Sequence, residues 1–330
     1  MRRLFLCSVL SILLYGLVFG WGVDRPLSLG LLRLELAQKT ARLAALPSPK
    51  LVILAGSNGP YSHSCVVMGA MLNMPCENAG IAVGIGLDDI FVRYAPLLHP
   101  GDVVYMPMEL AQYTATRGQY RAGVDGGFLL RHDRGVLAQL PMDRLLGGVF
   151  CCNLADLLES LAEMPMARSG AINPEALLRA EYNPQGDRID NNLADADPAL
   201  LEHAPRSVPG AQEIADGYGA VLIARFVAQE SAQKVLVIGG LPTDFATVAL
   251  TSQAVSAVAS VYTANGAAFA ALPSRSLYPA QDFFNGEDHL ARPCQVLHSI
   301  AVADALAALL HRPVQPPTEA VVRLAATCPR

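Results

Sequence analysis

A serine becomes a nucleophile only when a base takes its proton and a third group holds that base in place. In this 330-residue sequence the serine best placed for that chemistry is Ser57, in Gly56-Ser57-Asn58-Gly59-Pro60. It follows a short apolar run and opens a turn that would expose its hydroxyl. Seven histidines compete for the role of base. His99 sits in a Pro-Gly turn, His132 and His203 lie in charged surroundings, and His311 stands beside Arg312. His298 falls inside an Ala/Leu-rich helix and reads as structural. His63 is on the way into a helix and is expected to point away from Ser57. His289 remains, on the polar segment Phe283-Phe284-Asn285-Gly286-Glu287-Asp288-His289-Leu290, from which a side chain can reach the tip of the first strand.

Other patterns promise less. Gly80-x-x-x-Gly84-x-Gly86 lacks the spacing of a dinucleotide loop directly after a first strand. Asp88-Asp89 opens a helix, where the helix dipole accounts for the charge. Asp187 and Asp190 lack EF-hand spacing and are expected in a solvated loop. Glu109 is expected to be a salt-bridged structural carboxylate. No Cys or His spacing suggests zinc, so no metal or cofactor is implied.

These residues need a frame that brings distant loops together. Lys50–Ala55 is a continuous apolar run with a glycine break behind it, the pattern of a buried parallel strand. Val103–Met108 and Lys234–Ile238 repeat it, and Ala268–Leu272 is a further short candidate. Between them, helices are predicted over Leu27–Leu46, Cys65–Leu72, Leu87–Leu98, Ala211–Glu230, Thr251–Asn265 and Val296–Leu310. Alternation of this kind predicts an α/β fold, a parallel sheet with helices on both faces in three layers. Ligands of such sheets gather at the carboxyl ends of the strands. From about 113 to 209 strand signals fade, which predicts a helical insertion in a single domain spanning 23–330.

Apolar residues make up 52% of the chain and charged ones 16%, with net charge −5, so neither disorder nor a nucleic-acid footprint is expected. Arg2 and Arg3 precede an apolar stretch to Gly22, the pattern of export. It is long for a signal peptide and short for a spanning helix. Both readings stay open: an uncleaved signal anchor over 1–22, or a signal peptide cleaved after Gly20, before Trp21. Either places the rest outside the cytoplasm, with the membrane met through the N-terminal segment. Six cysteines beyond Cys7 allow one or two structural disulfides in such a compartment. The vicinal pair Cys151–Cys152 is not expected to bridge to itself.

Gly56-Ser57-Asn58 after the first strand, Asn78-x-Gly80 after the second, and Phe283-Phe284-Asn285-x-x-x-His289-Leu290 near the end resemble the SGNH/GDSL-type hydrolases. Pro100-Gly101-Asp102-Val-Val, Pro107-x-Glu109 and Tyr182-Asn183-x-x-Gly186-Asp187 narrow the resemblance to an anchored bacterial branch related to exopolysaccharide O-acetylation proteins. The resemblance implies Ser57 as nucleophile, His289 as general base, Asn285 in the place of the acid that orients it, and backbone N–H groups of Ser57 and Gly80 as oxyanion donors. Two departures stand out. Asn285 is an amide where the family has Asp, leaving Asp282, Glu287 or Asp288 to compensate. The third-strand Gly-x-Asn-Asp block is missing, leaving Asn58 or Asn78 as substitute donors. Two functions follow. One is a periplasmic carbohydrate acyl-esterase or O-acyltransferase, acting on an acyl ester substrate and anchored to the inner membrane. The other is a catalytically impaired scaffold that partners exopolysaccharide-synthesis proteins.

Overall fold

The computed structural model describes residues 1–19, 23–82, 84–121, 125–203 and 208–329, with the side chains of 125, 200 and 203 excepted. The cleavage site expected between Gly20 and Trp21, and the His203 side chain, lie outside the described residues. The chain forms two compact units. One comprises Met1–Ala37, Gly84–Val92 and Arg117–Arg179, the other Gln38–Val83, Arg93–Thr116 and Ala180–Arg330.

The second unit is α/β, as the alternation predicts. Strands β1 (Leu51–Ile53), β2 (Cys76–Asn78), β3 (Val103–Met106), β4 (Leu236–Gly240) and β6 (Ala268–Ala270) form one wholly parallel sheet in the order β2-β1-β3-β4-β6. Two short strands, β5 (Asp244–Phe245) and β7 (Leu277–Tyr278), pair separately. Strand alternation divides the sheet residues between two helical layers. Leu51, Ile53, Val103, Tyr105, Ile238 and Ala270 join a core with the Cys65–Leu72 and Arg292–Leu309 helices. The Tyr218–Ala232 and Ser252–Thr263 helices pack against β4. There a Cβ on Gly239 would lie 2.3 Å from the Tyr262 ring, so only glycine lets that helix sit so close.

The chain steps from β1 outward to β2 and returns to place β3 on the other flank of β1. Strand order therefore reverses between β1 and β3, the place where ligands of such sheets gather. Ser57 and Glu109 stand on the loops leaving the carboxyl ends of these two strands.

Three local expectations need correction. Strand β2 carries Cys76, Glu77 and Asn78, all buried, and is absent from the apolar runs read as strands. The helix expected over Ala211–Glu230 breaks at Gly217 into Ala211–Asp216 and Tyr218–Ala232. Disulfides join Cys65–Cys76, Cys294–Cys328 and also Cys151–Cys152, so the vicinal pair does bridge, within the turn between two helices.

The first unit is helical among its described residues. It holds Arg2–Leu17, Asp125–His132, Met142–Val149 and Leu154–Ser169, among shorter pieces. Asn153 and Asp156 form a capping box that starts the last of these. No single helix among the described residues is long and apolar enough to cross a membrane; Met142–Val149 and Leu154–Ser169, bent by 66°, reach that length and apolarity only together.

Candidate active site

Ser57 caps a five-residue helix, Asn58–Ser62, that begins where β1 ends. The turn is packed tightly from two sides. A Cβ on Gly56 would come within 2.4 Å of a Glu109 carboxyl oxygen, and one on Gly80 within 2.9 Å of the Gly59 Cα. Glycine at these positions lets Glu109 and the loop after β2 close directly over the serine backbone.

Glu109 is the central partner. Its Oε1 accepts the Asn58 N–H at 2.8 Å and lies 3.4 Å from Ser57 Oγ, which has no other hydrogen-bond partner among the described residues. No cation among the described residues pairs with it; in place of the salt bridge expected from sequence, its charged neighbour is a second carboxyl, Asp288. Burial and the Asp288 charge hold the Glu109 carboxyl protonated well above the ordinary carboxylate range.

Asp288 leads on to His289. The loop that carries both is closed by a Phe283–Leu290 bridge and by the Phe284 N–H donating to His289 O at 2.7 Å. This brings Asn285 Oδ1 to 2.6 Å from His289 Nδ1. An amide oxygen only accepts, so Nδ1 carries the proton and Nε2 keeps its lone pair. Nε2 makes no hydrogen bond among the described residues, and Asp288 Oδ1 lies 3.4 Å from it. Of the three acids that could compensate for Asn285, Asp288 is therefore the one at the imidazole. Burial, with Arg188 adding to it and Asp288 opposing, lowers the His289 pKa below its usual value.

The imidazole stacks on Tyr61 with ring centroids 3.9 Å apart. Arg188 covers the Tyr61 ring at 4.9 Å and is held by Glu181 and Asp190. Thr243, after β4, joins the two loops: its hydroxyl lies 2.8 Å from Asn58 Oδ1 and 2.9 Å from Asp288 O. Nothing in the local sequence singles out Tyr61, Arg188 or Thr243, because their partners lie far along the chain.

Ser57, Asn285 and His289 thus fall into one cluster, without a direct hydrogen bond between Ser57 and His289. The two candidate oxyanion amides do other work. Asn58 Nδ2 donates to Pro107 O at 2.9 Å, and Asn78 Nδ2 lies within reach of Gly59 O, His63 O and Asp187 Oδ1. Both amides are committed to the scaffold, which corrects the expectation that either replaces the missing third-block donor. The backbone donors are less engaged. Gly80 N–H lies 3.4 Å from Asn78 Oδ1, and Ser57 N–H meets no acceptor among the described residues.

The remaining candidates settle as structure. His63 is buried, with Nδ1 3.2 Å from Asn58 O and Nε2 3.2 Å from His298, and burial lowers its pKa to about 4. Asp187 is buried rather than solvated: it accepts the Cys65 and Val66 N–H groups and fixes the start of the Cys65–Leu72 helix. Asp282, Cys294 and Cys328 bring ligand atoms together, but the disulfide uses both thiols and leaves the Asp282 carboxylate alone of the three. Comparison with family models, with curated proteins and with solved structures finds no match to this chain.

Proposed function

We propose that this site belongs to a serine-dependent ester hydrolase or O-acyltransferase that works outside the cytoplasm on acylated carbohydrate. The observation that carries the reading is the free Nε2 of His289, made a base by the Asn285–Nδ1 bond and joined to Ser57 through Asp288 and Glu109. The resemblance to the exopolysaccharide O-acetylation branch supplies the substrate class.

Ser57 Oγ attacks the acyl carbon as its proton passes to Glu109 Oε1. Glu109's own proton moves to Asp288, and from there one reaches His289 Nε2. The 3.4 Å separations at either end shorten when substrate excludes water. The oxyanion accepts from the Ser57 and Gly80 N–H groups. Departure of the alcohol, which takes the proton back, leaves an acyl-Ser57. Water or a sugar hydroxyl then attacks that ester by the same route in reverse. The imidazolium formed on the way is stabilised by Asp288, which does from the Nε2 side what Asn285 cannot do from Nδ1.

Labelling with a fluorophosphonate probe tests this: the wild type is expected to label and Ser57→Ala to stay unlabelled. A second reading, a binding protein that keeps the fold, is favoured by the absence of a direct Ser57–His289 bond. Failure of the wild type to label, together with no turnover of a small acetyl ester, would establish it instead.

A further inference from the structure

Two helices of the first unit turn large apolar side chains outward. Along Leu154–Ser169, Leu154, Leu158, Leu161 and Pro165 recur at i, i+4, i+7 and i+11, so they form one stripe. That stripe is turned outward: the three leucines are 64%, 59% and 53% exposed. The one buried residue of this helix is polar, with Leu157, Glu163 and Met164 partly buried around it. Ser160 is fully buried, and its hydroxyl accepts the Asp24 N–H and donates to the Asp24 carbonyl. Glu163 accepts from Leu27 N–H and Ser28 Oγ and pairs with Arg25.

Met142–Val149 repeats the inversion. Its buried residues are Arg144 and Gly148, with Arg144 paired to Asp88 at 3.0 Å, while Met142, Leu146 and the following Phe150 stand exposed. In water this arrangement gives up apolar burial twice over and desolvates charge in exchange. In an apolar medium both choices are favourable.

The neighbouring helix identifies the medium. Arg2–Leu17 has no buried residue, and consecutive Leu4-Phe5-Leu6 and Ile12-Leu13-Leu14 are all exposed, so its apolar surface runs all the way round. A protein partner covers one face of a helix; acyl chains cover every face. The two surfaces are continuous. Tyr15 stacks on Phe19 at 4.7 Å and on Phe150 at 5.6 Å, and its hydroxyl donates to Cys152 O at 2.9 Å, in the turn from which the leucine stripe starts.

We infer that the Met142–Ser169 helix pair is a second membrane-contacting element, seated with its Leu154/Leu158/Leu161 face in the acyl region of the same leaflet as the N-terminal helix. It lies along the interface as an amphipathic monotopic element does, its polar side turned toward the protein.

Trp21, the single tryptophan of the chain, allows a direct test. The full-length Trp21→Phe, Leu158→Trp protein is reconstituted in phosphatidylethanolamine–phosphatidylglycerol vesicles with brominated or ordinary acyl chains. Bromine is expected to remove most of the emission of Leu158→Trp and of Leu161→Trp, a second position on the stripe. Val322→Trp, an exposed position of the other unit, is expected to keep its emission. Unquenched Leu158→Trp and Leu161→Trp in vesicles that quench wild-type Trp21 would overturn the proposal, leaving the N-terminal segment as the sole tether. Emission from these two positions that shifts to the blue with protein concentration in lipid-free detergent would also overturn it, in favour of a second copy of the chain.

Discussion

Two helices of the helical unit sort their side chains in the sense opposite to the α/β unit. In the α/β unit, Leu51, Ile53, Val302 and Leu306 are buried, and buried charges have partners, such as Lys50–Asp102 at 2.9 Å or Asp187 with the Cys65 and Val66 N–H groups. In the helical unit, Arg144 and Ser160 are buried while Leu146, Leu154 and Leu158 face outward. Both obey the same rule, that apolar surface seeks apolar surroundings and polar groups seek partners. What differs is the solvent each was built for. A leucine is therefore informative about this protein only together with the side on which it stands.

Arg144→Ala should show the largest effect on that contrast. It breaks the buried pair with Asp88, a loss of about 3–5 kcal/mol, read as a fall in the denaturant midpoint of the helical unit. Next come paired leucine truncations. Leu306→Ala opens a cavity in the α/β core, at a cost of about 2–5 kcal/mol. Leu158→Ala removes a side chain that touches little protein and should change stability by less than about 0.5 kcal/mol in detergent. Equal losses at the two leucines would remove the distinction between the units.

Much of the α/β frame was legible in the sequence because its signals are local. Leu51–Ile53, Val103–Met106 and Cys65–Leu72 announce themselves by composition within a few residues. Strand β2 did not, because Glu77 is buried against Arg42 at 2.8 Å and the Asn78 amide serves three carbonyl or carboxylate oxygens; a strand that buries polar groups looks like a loop. At the site, Ser57, His289 and Asn285 stand out by residue type and place. Glu109–Asp288 did not, since two carboxyls about to share a proton look in sequence like two ordinary acids. The outward leucines were equally hidden, because periodicity reveals a stripe without saying which way it faces.

That carboxyl pair yields the smallest effect and the most specific one. The lowered His289 pKa means that the base stays neutral as pH falls past the ordinary histidine range, so the labelling rate of Ser57 should decline only below about pH 6.5. At the other end, the raised Glu109 pKa means that its proton is lost only as pH climbs well above the carboxylate range. Once ionised, Glu109 has no proton to pass to Asp288 and opposes the charge developing on Ser57, so the rate should fall again and the profile should be bell-shaped. Glu109→Gln removes both the relay and the titration. Its rate at neutral pH should drop about 100-fold, at the low end of what one proton-transfer group contributes, and its alkaline limb should vanish while the acid limb stays with His289. If the substitution instead leaves rate and alkaline limb intact, Ser57 reaches His289 without the carboxyl pair, and Glu109 serves only to hold the turn through the Asn58 N–H.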